Sequence, residues 1–308
     1  MAISSMNTRI CKICGIRYPL FLGPMMGISK APLVGTFSKA GGLGCLAAAG
    51  MAEKEFQEEI EEIRRCTDGS FAVNIPWVAS NSLELLQWCL NEHIEIVISS
   101  AGAPSEGLDK LKQAGMVVFQ VAANVKQALR AESLGADGII AKGYESGGLN
   151  SLDAVASLPL IPQVADAVSV PVVAAGGIGD GRGLVAALAL GAEGVLMGTR
   201  FLASLECPVH DNYKMALLKS GDTDTIALRF PGFSVRLWKN QRALELKGNE
   251  SLGELLSNPG EEGEITEKLW SAGQIAGLIK SNSSVEEIFQ EIMKGFEASV
   301  RRLQNLAP

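Results

Sequence analysis

Two short apolar runs in this 308-residue chain stop at glycine where a strand would give way to a loop. Val170 to Ala175 ends at Gly176-Gly177, and Glu193 to Met197 ends at Gly198-Thr199, with an alanine-rich helix from Arg182 to Leu190 between them. Backbone N–H groups at such transitions are not masked by side chains, and with a helix N-terminus they make a cradle for phosphate. On neighbouring strand ends of an eightfold β/α repeat, that arrangement is the phosphate site after strands seven and eight of a barrel.

Six further strands have to position the pair, and the chain supplies them. The eight candidates are Leu20 to Gly23, Gly42 to Leu46, Phe71 to Ile75, Ile94 to Ile98, Met116 to Val121, Gly138 to Ala141, Val170 to Ala175 and Gly194 to Met197. Helical segments alternate with them: Ala31 to Lys39, Glu53 to Arg65, Ser82 to Glu92, Ser105 to Gln113, Val125 to Leu134, Ile161 to Val168 and Arg182 to Leu190. Strand–helix alternation implies parallel pairing with right-handed crossovers, and several continuously apolar strands fit burial on both faces. The expected fold is an α/β (β/α)8 TIM barrel, with an open doubly wound sheet as the alternative. Beyond Glu206 the period breaks. The expected division is a barrel of residues 1–205 and 271–308 around an inserted substrate or lid domain at 206–270. Ser271 to Lys280 reads as a small-residue helix. Ser284 to Leu303 reads as an amphipathic helix that closes the barrel, with Ser284 and Glu287 at capping-box spacing.

Active-site groups of such a barrel lie at the C-terminal strand ends. These are Gly23 to Met26, Ala47 to Gly50, Asn74 to Trp77, Ser99 to Ala103, Gln120 to Asn124, Lys142 to Asn150, Ala175 to Ile178 and Met197 to Thr199. The set is poor in carboxylates and holds no histidine or cysteine cluster, which argues against metal hydrolysis and paired-acid chemistry. It is rich in glycine, methionine, amide and hydroxyl groups, the surface expected for a flat, polar-edged, phosphate-bearing cofactor. Asn74 offers both a donor and an acceptor to a ring edge.

Apolar residues make up 47% of the chain and charged residues 20%, and the formal net charge is −7. That balance fits a folded protein with a large core and gives no basic face for nucleic acid. No leader-like or membrane-spanning run is evident, so the expected location is cytoplasmic. The six cysteines are too scattered for a disulfide framework, and Cys11 and Cys14 lack the neighbours that zinc or redox work would need.

The motifs GPMMGIS (Gly23 to Ser29), SKAGGLG (Ser38 to Gly44), FAVNI (Phe71 to Ile75), GADGIIAKGYESGG (Gly135 to Gly148), AAGGIGDGRG (Ala174 to Gly183), GAEGVLMGTRFL (Gly191 to Leu202), HDNYK (His210 to Lys214) and SAGQIAGL (Ser271 to Leu278) cover most of the chain in order. In them the sequence resembles the FMN-dependent barrel family of nitronate monooxygenases, formerly 2-nitropropane dioxygenases, and the flavin-type enoyl-acyl-carrier-protein reductase II. The resemblance implies FMN, with Gly176, Gly177, Gly198 and Thr199 at its phosphate. It implies Asn74, Lys142 and Gly147 near the ring and ribityl chain, and the backbone of Pro24, Met25 and Met26 against the isoalloxazine. Gln120, Gly148 and Met197, at neighbouring strand ends and loops, complete the expected cofactor set. One position departs from the family. Glu145-Ser146-Gly147-Gly148 is followed by Leu149, where members usually have the histidine that accepts the substrate proton in nitronate monooxygenases. Leucine can neither take nor give a proton, whereas hydride transfer would not need one there.

The expected function is NAD(P)H-dependent reduction of an enoyl thioester or similar activated alkene. The alternatives are oxidation of alkyl nitronates with O₂ and a catalytically silent FMN-binding barrel. Expected partners are a small-molecule or acyl-thioester substrate and a second copy in a homodimer, with no nucleic acid, membrane or metal. His210 and Tyr144 are the candidate proton carriers. The competing readings are a surface histidine beside Asp211, and packing or solvent exposure for Tyr144. Trp77 reads as an apolar wall over the site, His93 as a structural residue at the opposite face, and Glu261 to Glu264 as a solvated loop.

Overall fold

The computed structural model describes residues 5–102, 104–246 and 263–306. All eight candidate strands form, with ends moved by no more than two residues: β1 (Leu20–Leu22), β2 (Gly44–Ala47), β3 (Phe71–Pro76), β4 (Ile96–Ser100), β5 (Val117–Ala122), β6 (Gly138–Lys142), β8 (Val172–Ala175) and β9 (Gly194–Met197). They pair in parallel in the order β1-β9-β8-β6-β5-β4-β3-β2. Between the two ends of that order, Leu22 N–H donates to Leu43 O and Leu43 N–H donates to Leu20 O, both at 2.9 Å. The sheet therefore closes on itself, and no edge is left to template pairing with another chain.

Side-chain alternation sorts each strand into two layers. Phe21, Cys45, Ala72, Ile96, Ile98, Phe119, Ile140 and Val173 point inward and fill the barrel, with Phe21 and Phe119 meeting edge to face at 5.1 Å. Leu20, Leu22, Leu46, Val73, Ile75, Val97, Val118 and Val195 point outward onto the helices. The floor is plugged by α1 (Arg9–Cys14), whose Ile10, Cys11 and Cys14 join the inner cluster. Burial pushes the Cys14 thiol up to about 12, which suits packing and not reactivity. His93, just past α4 (Ser82–Asn91), adopts the left-handed region at φ 51°.

The outer ring is α2 (Ala31–Lys39), α3 (Glu53–Cys66), α4, α5 (Ser105–Gln113), α6 (Val125–Ser133), α7 (Ser157–Ala167) and α8 (Gly181–Ala189), closed by α12 (Val285–Gln304). Ser284 and Glu287 form the expected capping box on α12. This helix lies so close to α8 that a Cβ on Gly181 would come within 2.1 Å of the Phe296 nitrogen. Helix α7 starts four residues earlier than the sequence pattern suggests, because the Glu145 carboxylate accepts from Ser157 N–H at 2.9 Å and from the Ser157 hydroxyl. A cap reaching in from another loop leaves no local sequence signal.

After the short turn α9 (Thr199–Leu202), the inserted segment supplies α10 (Asp211–Lys219), a hairpin of β10 (Thr225–Phe230) and β11 (Phe233–Trp238), and α11 (Gln241–Glu245). The hairpin recruits β7 (Gly148–Asn150), which belongs to the loop after β6, so that Val235 pairs with Leu149 and Arg236 with Gly148. The small-residue helix expected over Ser271 to Lys280 is corrected to a single 3₁₀ turn, Gln274–Leu278. The N–H groups that would begin a longer helix are used elsewhere: Gly273 donates to Thr199 Oγ1 and Gln274 to Glu145 O, both at 2.9 Å. Most of the acidic run from Glu261 lies outside the described residues. Within the described part, Glu264 accepts from Thr266.

Candidate active site

At the C-terminal end of the barrel the alternation continues for one more layer, and it decides which strand-end residues face the mouth. The inward positions after Phe21, Cys45, Ala72, Ile98, Ile140, Val173 and Leu196 are Gly23, Ala47, Asn74, Ser100, Lys142, Ala175 and Gly198. Four strands thus contribute only glycine or alanine, forming a shallow floor over β1, β2, β8 and β9. A Cβ on Gly23 would lie 3.1 Å from the Gly198 Cα, and one on Gly198 would lie 3.5 Å from Met25 Sδ, which places the loop carrying Pro24, Met25 and Met26 beside that floor. Met26 is half exposed.

The opposite side of the mouth is polar. Asn74 Nδ2 donates to Ile98 O at 2.8 Å and to Ser100 Oγ at 3.0 Å. Its Oδ1 accepts from no described residue, and among the described residues no buried side-chain oxygen lacks a partner, so that oxygen is open to the mouth. The ammonium of Lys142 donates to Leu149 O at 2.6 Å and has no carboxylate within ion-pair distance among the described residues. Burial lowers its pKa to about 8.

Beside the glycine floor, three loops and the Ser271–Gly273 segment converge. Gly176 and Gly177 sit at φ 92° and 70°, the left-handed region that favours glycine. A Cβ on Gly176 would meet Gly143 O at 2.8 Å, and one on Gly147 would meet Gly273 N at 2.8 Å. The N–H groups of Gly176, Gly177 and Gly198 donate to no protein acceptor among the described residues. Together with the first turn of α9 they form a cluster of free donors with no side chain in front of them. That is the donor set a phosphate requires. The residues present therefore fit a planar cofactor with a phosphate tail: donors at one end, a flat floor, and an amide oxygen and an ammonium at the edge.

Other strand-end residues go elsewhere. Gln120 points outward, its Oε1 accepting from Ser99 Oγ at 2.6 Å and its Nε2 donating to Gly102 O and Val121 O. Trp77 donates to the same Ser99 oxygen at 2.7 Å and packs over Gly107 of α5. Met197 also faces outward, buried in the helix layer. For these three, strand parity directs the side chains away from the mouth, into the layer behind the barrel wall. Tyr144 lies beneath the Arg236 guanidinium, 4.7 Å from its centre, and its carbonyl accepts from Arg236 Nε. His210 is exposed, caps α10 by accepting from Asn212 N–H on Nδ1, and stands against Gly263. Gly148, at φ 73°, and Leu149 lie on β7, with the Leu149 side chain against the insertion's apolar cluster of Phe230, Val235 and Leu237.

Sequence reasoning did not single out Ser100, Gly273 or Arg236, and it read Glu145 only as part of a motif. Ser100 could have been found from strand parity; the others depend on contacts between segments far apart in the chain. Among the described residues there is no group of three or more His, Cys, Asp or Glu side chains able to hold a metal, and no helix long and apolar enough to cross a membrane.

Comparison with known proteins gives the family. The sequence model of the family described as nitronate monooxygenase matches residues 7–88 and 79–295. The "(3aS,4S,5R,7aS)-5-hydroxy-7a-methyl-1-oxo-octahydro-1H-indene-4-carboxyl-CoA dehydrogenase" of Rhodococcus jostii is 36% identical over 295 residues, covering 94% of this chain and 83% of the relative. A probable nitronate monooxygenase of Staphylococcus aureus is 33% identical over 285 residues, 78% of this chain and 80% of that one. The solved structure of FabK from Thermotoga maritima superposes with a TM-score of 0.93 at 35% identity, over 98% of this chain and all of that one. On these matches and the barrel fold, the chain belongs to the nitronate monooxygenase family of flavin-dependent oxidoreductases.

Proposed function

We propose that the protein binds FMN and reduces the carbon–carbon double bond of an enoyl thioester or similar activated alkene at the expense of NAD(P)H. The observation that carries this reading is the mouth itself. Its inward polar side chains are Asn74, Ser100 and Lys142, set in a glycine and alanine floor, and no imidazole or carboxylate stands among those strand-end positions. Such a surface can hold and orient a ring and a substrate but offers neither an imidazole nor a carboxylate base, which suits hydride chemistry better than proton abstraction by those groups. A relative acting on a carboxyl-CoA, by its name, supports a thioester.

In this reading Gly176, Gly177, Gly198 and Thr199 hold the phosphate through main-chain N–H groups. Gly23, Pro24, Met25 and Gly198 form the bed of the ring, and the Asn74 amide and Lys142 stand at its edge. When bound, the flavin supplies reversible hydride acceptance and donation. Leu149 and the apolar cluster behind it exclude water from one side of the mouth. The described part of the insertion, residues 206–246 and 263–270, covers the site as a lid whose β11 is fastened to β7.

The test is spectroscopic. Purified protein should carry or take up FMN, bleach on anaerobic addition of NAD(P)H, and regain colour when crotonyl-N-acetylcysteamine thioester is added. Bleaching by an alkyl nitronate but not by NAD(P)H would overturn the reductase reading in favour of nitronate oxidation. An inability to bind FMN would overturn both.

A further inference from the structure

The geometry points to Lys142 as the group that binds the substrate's carbonyl oxygen, which selects alkenes conjugated to a carbonyl. This deepens the reductase reading and rests on it for the choice of substrate. Three observations carry it. Lys142 is at an inward position by strand parity, directly above Ile140, so its stem rises into the mouth and not into the helix layer. Its ammonium is tethered by one hydrogen bond, to Leu149 O, leaving two hydrogens without a described acceptor and no carboxylate to neutralise the charge. The tether is the main chain of the residue at which the family's usual imidazole is replaced by leucine, so a cation is held beside the vacated position.

An unpaired cation under an apolar cover is costly to maintain unless something anionic meets it. A carbonyl oxygen gains negative charge during conjugate reduction. Hydride from NAD(P)H adds to the β-carbon and breaks the Cα–Cβ π bond, whose electron pair moves through the α-carbon onto the thioester oxygen. The α-carbon then takes one proton from water, giving the saturated thioester. Lys142 meets the oxygen while it carries the charge, and a donor in such a position is worth about 10²–10³ in rate.

The test separates two half-reactions. In Lys142→Met, which keeps the stem and removes the charge, the rate of colour return with crotonyl-N-acetylcysteamine thioester, divided by the rate with ferricyanide, should fall about 10²-fold; Lys142→Arg should recover part of the loss. Loss of bound FMN, or an equal slowing with both acceptors, would overturn the inference and assign Lys142 to the cofactor. An unchanged ratio would also overturn it. If NAD(P)H fails to bleach the parent enzyme, the reductase reading fails on its own. Lys142 is then judged by the equilibrium affinity of the oxidised enzyme for the saturated butyryl-N-acetylcysteamine thioester, read from the flavin spectrum. A tenfold weakening in Lys142→Met supports the inference, and unchanged affinity overturns it. If Lys142→Met does not fold, Lys142→Gln takes its place in both measurements.

Discussion

The Lys142 ammonium donates to the Leu149 carbonyl at 2.6 Å, joining the end of a barrel strand to the short strand on which the inserted hairpin is built. Because burial lowers its pKa to about 8 from an ordinary value near 10.5, the folded protein holds this proton less tightly than the unfolded chain does. Between those values the unfolded state binds more protons, so this group's contribution to stability rises with pH across the window and is least favourable below pH 8. Lys142→Met should therefore stabilise the fold at pH 7 by up to about 3 kcal/mol, at 1.36 kcal/mol per pKa unit, and by much less at pH 10. Urea titrations of both proteins at the two pH values check this; a gain that grows with pH would contradict it.

Gly176 and Gly177 share the left-handed region but not the same surroundings. A Cβ on Gly176 would lie 2.8 Å from Gly143 O, whereas one on Gly177 meets nothing closer than the Glu145 side chain at 3.6 Å. Gly176→Ala should cost about 1–3 kcal/mol in strain and displace the loop, weakening FMN binding at least tenfold. Gly177→Ala should cost about 1–2 kcal/mol with a smaller loss of affinity. Fluorescence titration with FMN ranks the two, and the reverse order would remove the close approach as the explanation.

Thr199 Oγ1 accepts from the Gly273 N–H at 2.9 Å in a buried setting. Thr199→Val keeps the shape and leaves that N–H without a partner, an expected loss of about 1–3 kcal/mol. Thr199→Ser should retain most of the stability. Equal melting temperatures for the valine and serine variants would show that the bond carries no weight.

Glu145 supplies the carboxylate at the N-terminus of α7. Glu145→Gln keeps the size but removes the charge and one acceptor, and should destabilise by about 1 kcal/mol, Glu145→Ala by about 2. Chemical denaturation measures both. A larger loss of turnover than of stability would give the carboxylate a second task in the mouth.

The barrel was readable because its signals are local. Each strand is a short, largely apolar run, four of the eight ended directly by glycine, and each helix has its own periodicity; the Ser284–Glu287 capping box even placed the last helix start to the residue. The site was readable in part. Glycine at 176 and 177, at φ 92° and 70°, is a local requirement of backbone geometry and appears directly in the sequence. Which strand-end side chains face the mouth was not readable from strand ends alone, since a one-residue change in parity reverses the face. Asn74 and Lys142 thereby face inward, while Gln120 and Met197 face outward.

The sequence by itself determined the eightfold alternation, the glycine-ended strands and the absence of an imidazole at position 149, since each follows from residue type and spacing along a short stretch. Only the tertiary structure decided that Glu145 caps a helix, that Gly273 spends its N–H on Thr199, that the inserted hairpin borrows β7, and that Lys142 stands unpaired above the barrel floor. Those are contacts between segments up to 92 residues apart, as for Arg236 and Tyr144. Their partners are chosen by closure of the barrel, not by neighbours in the chain.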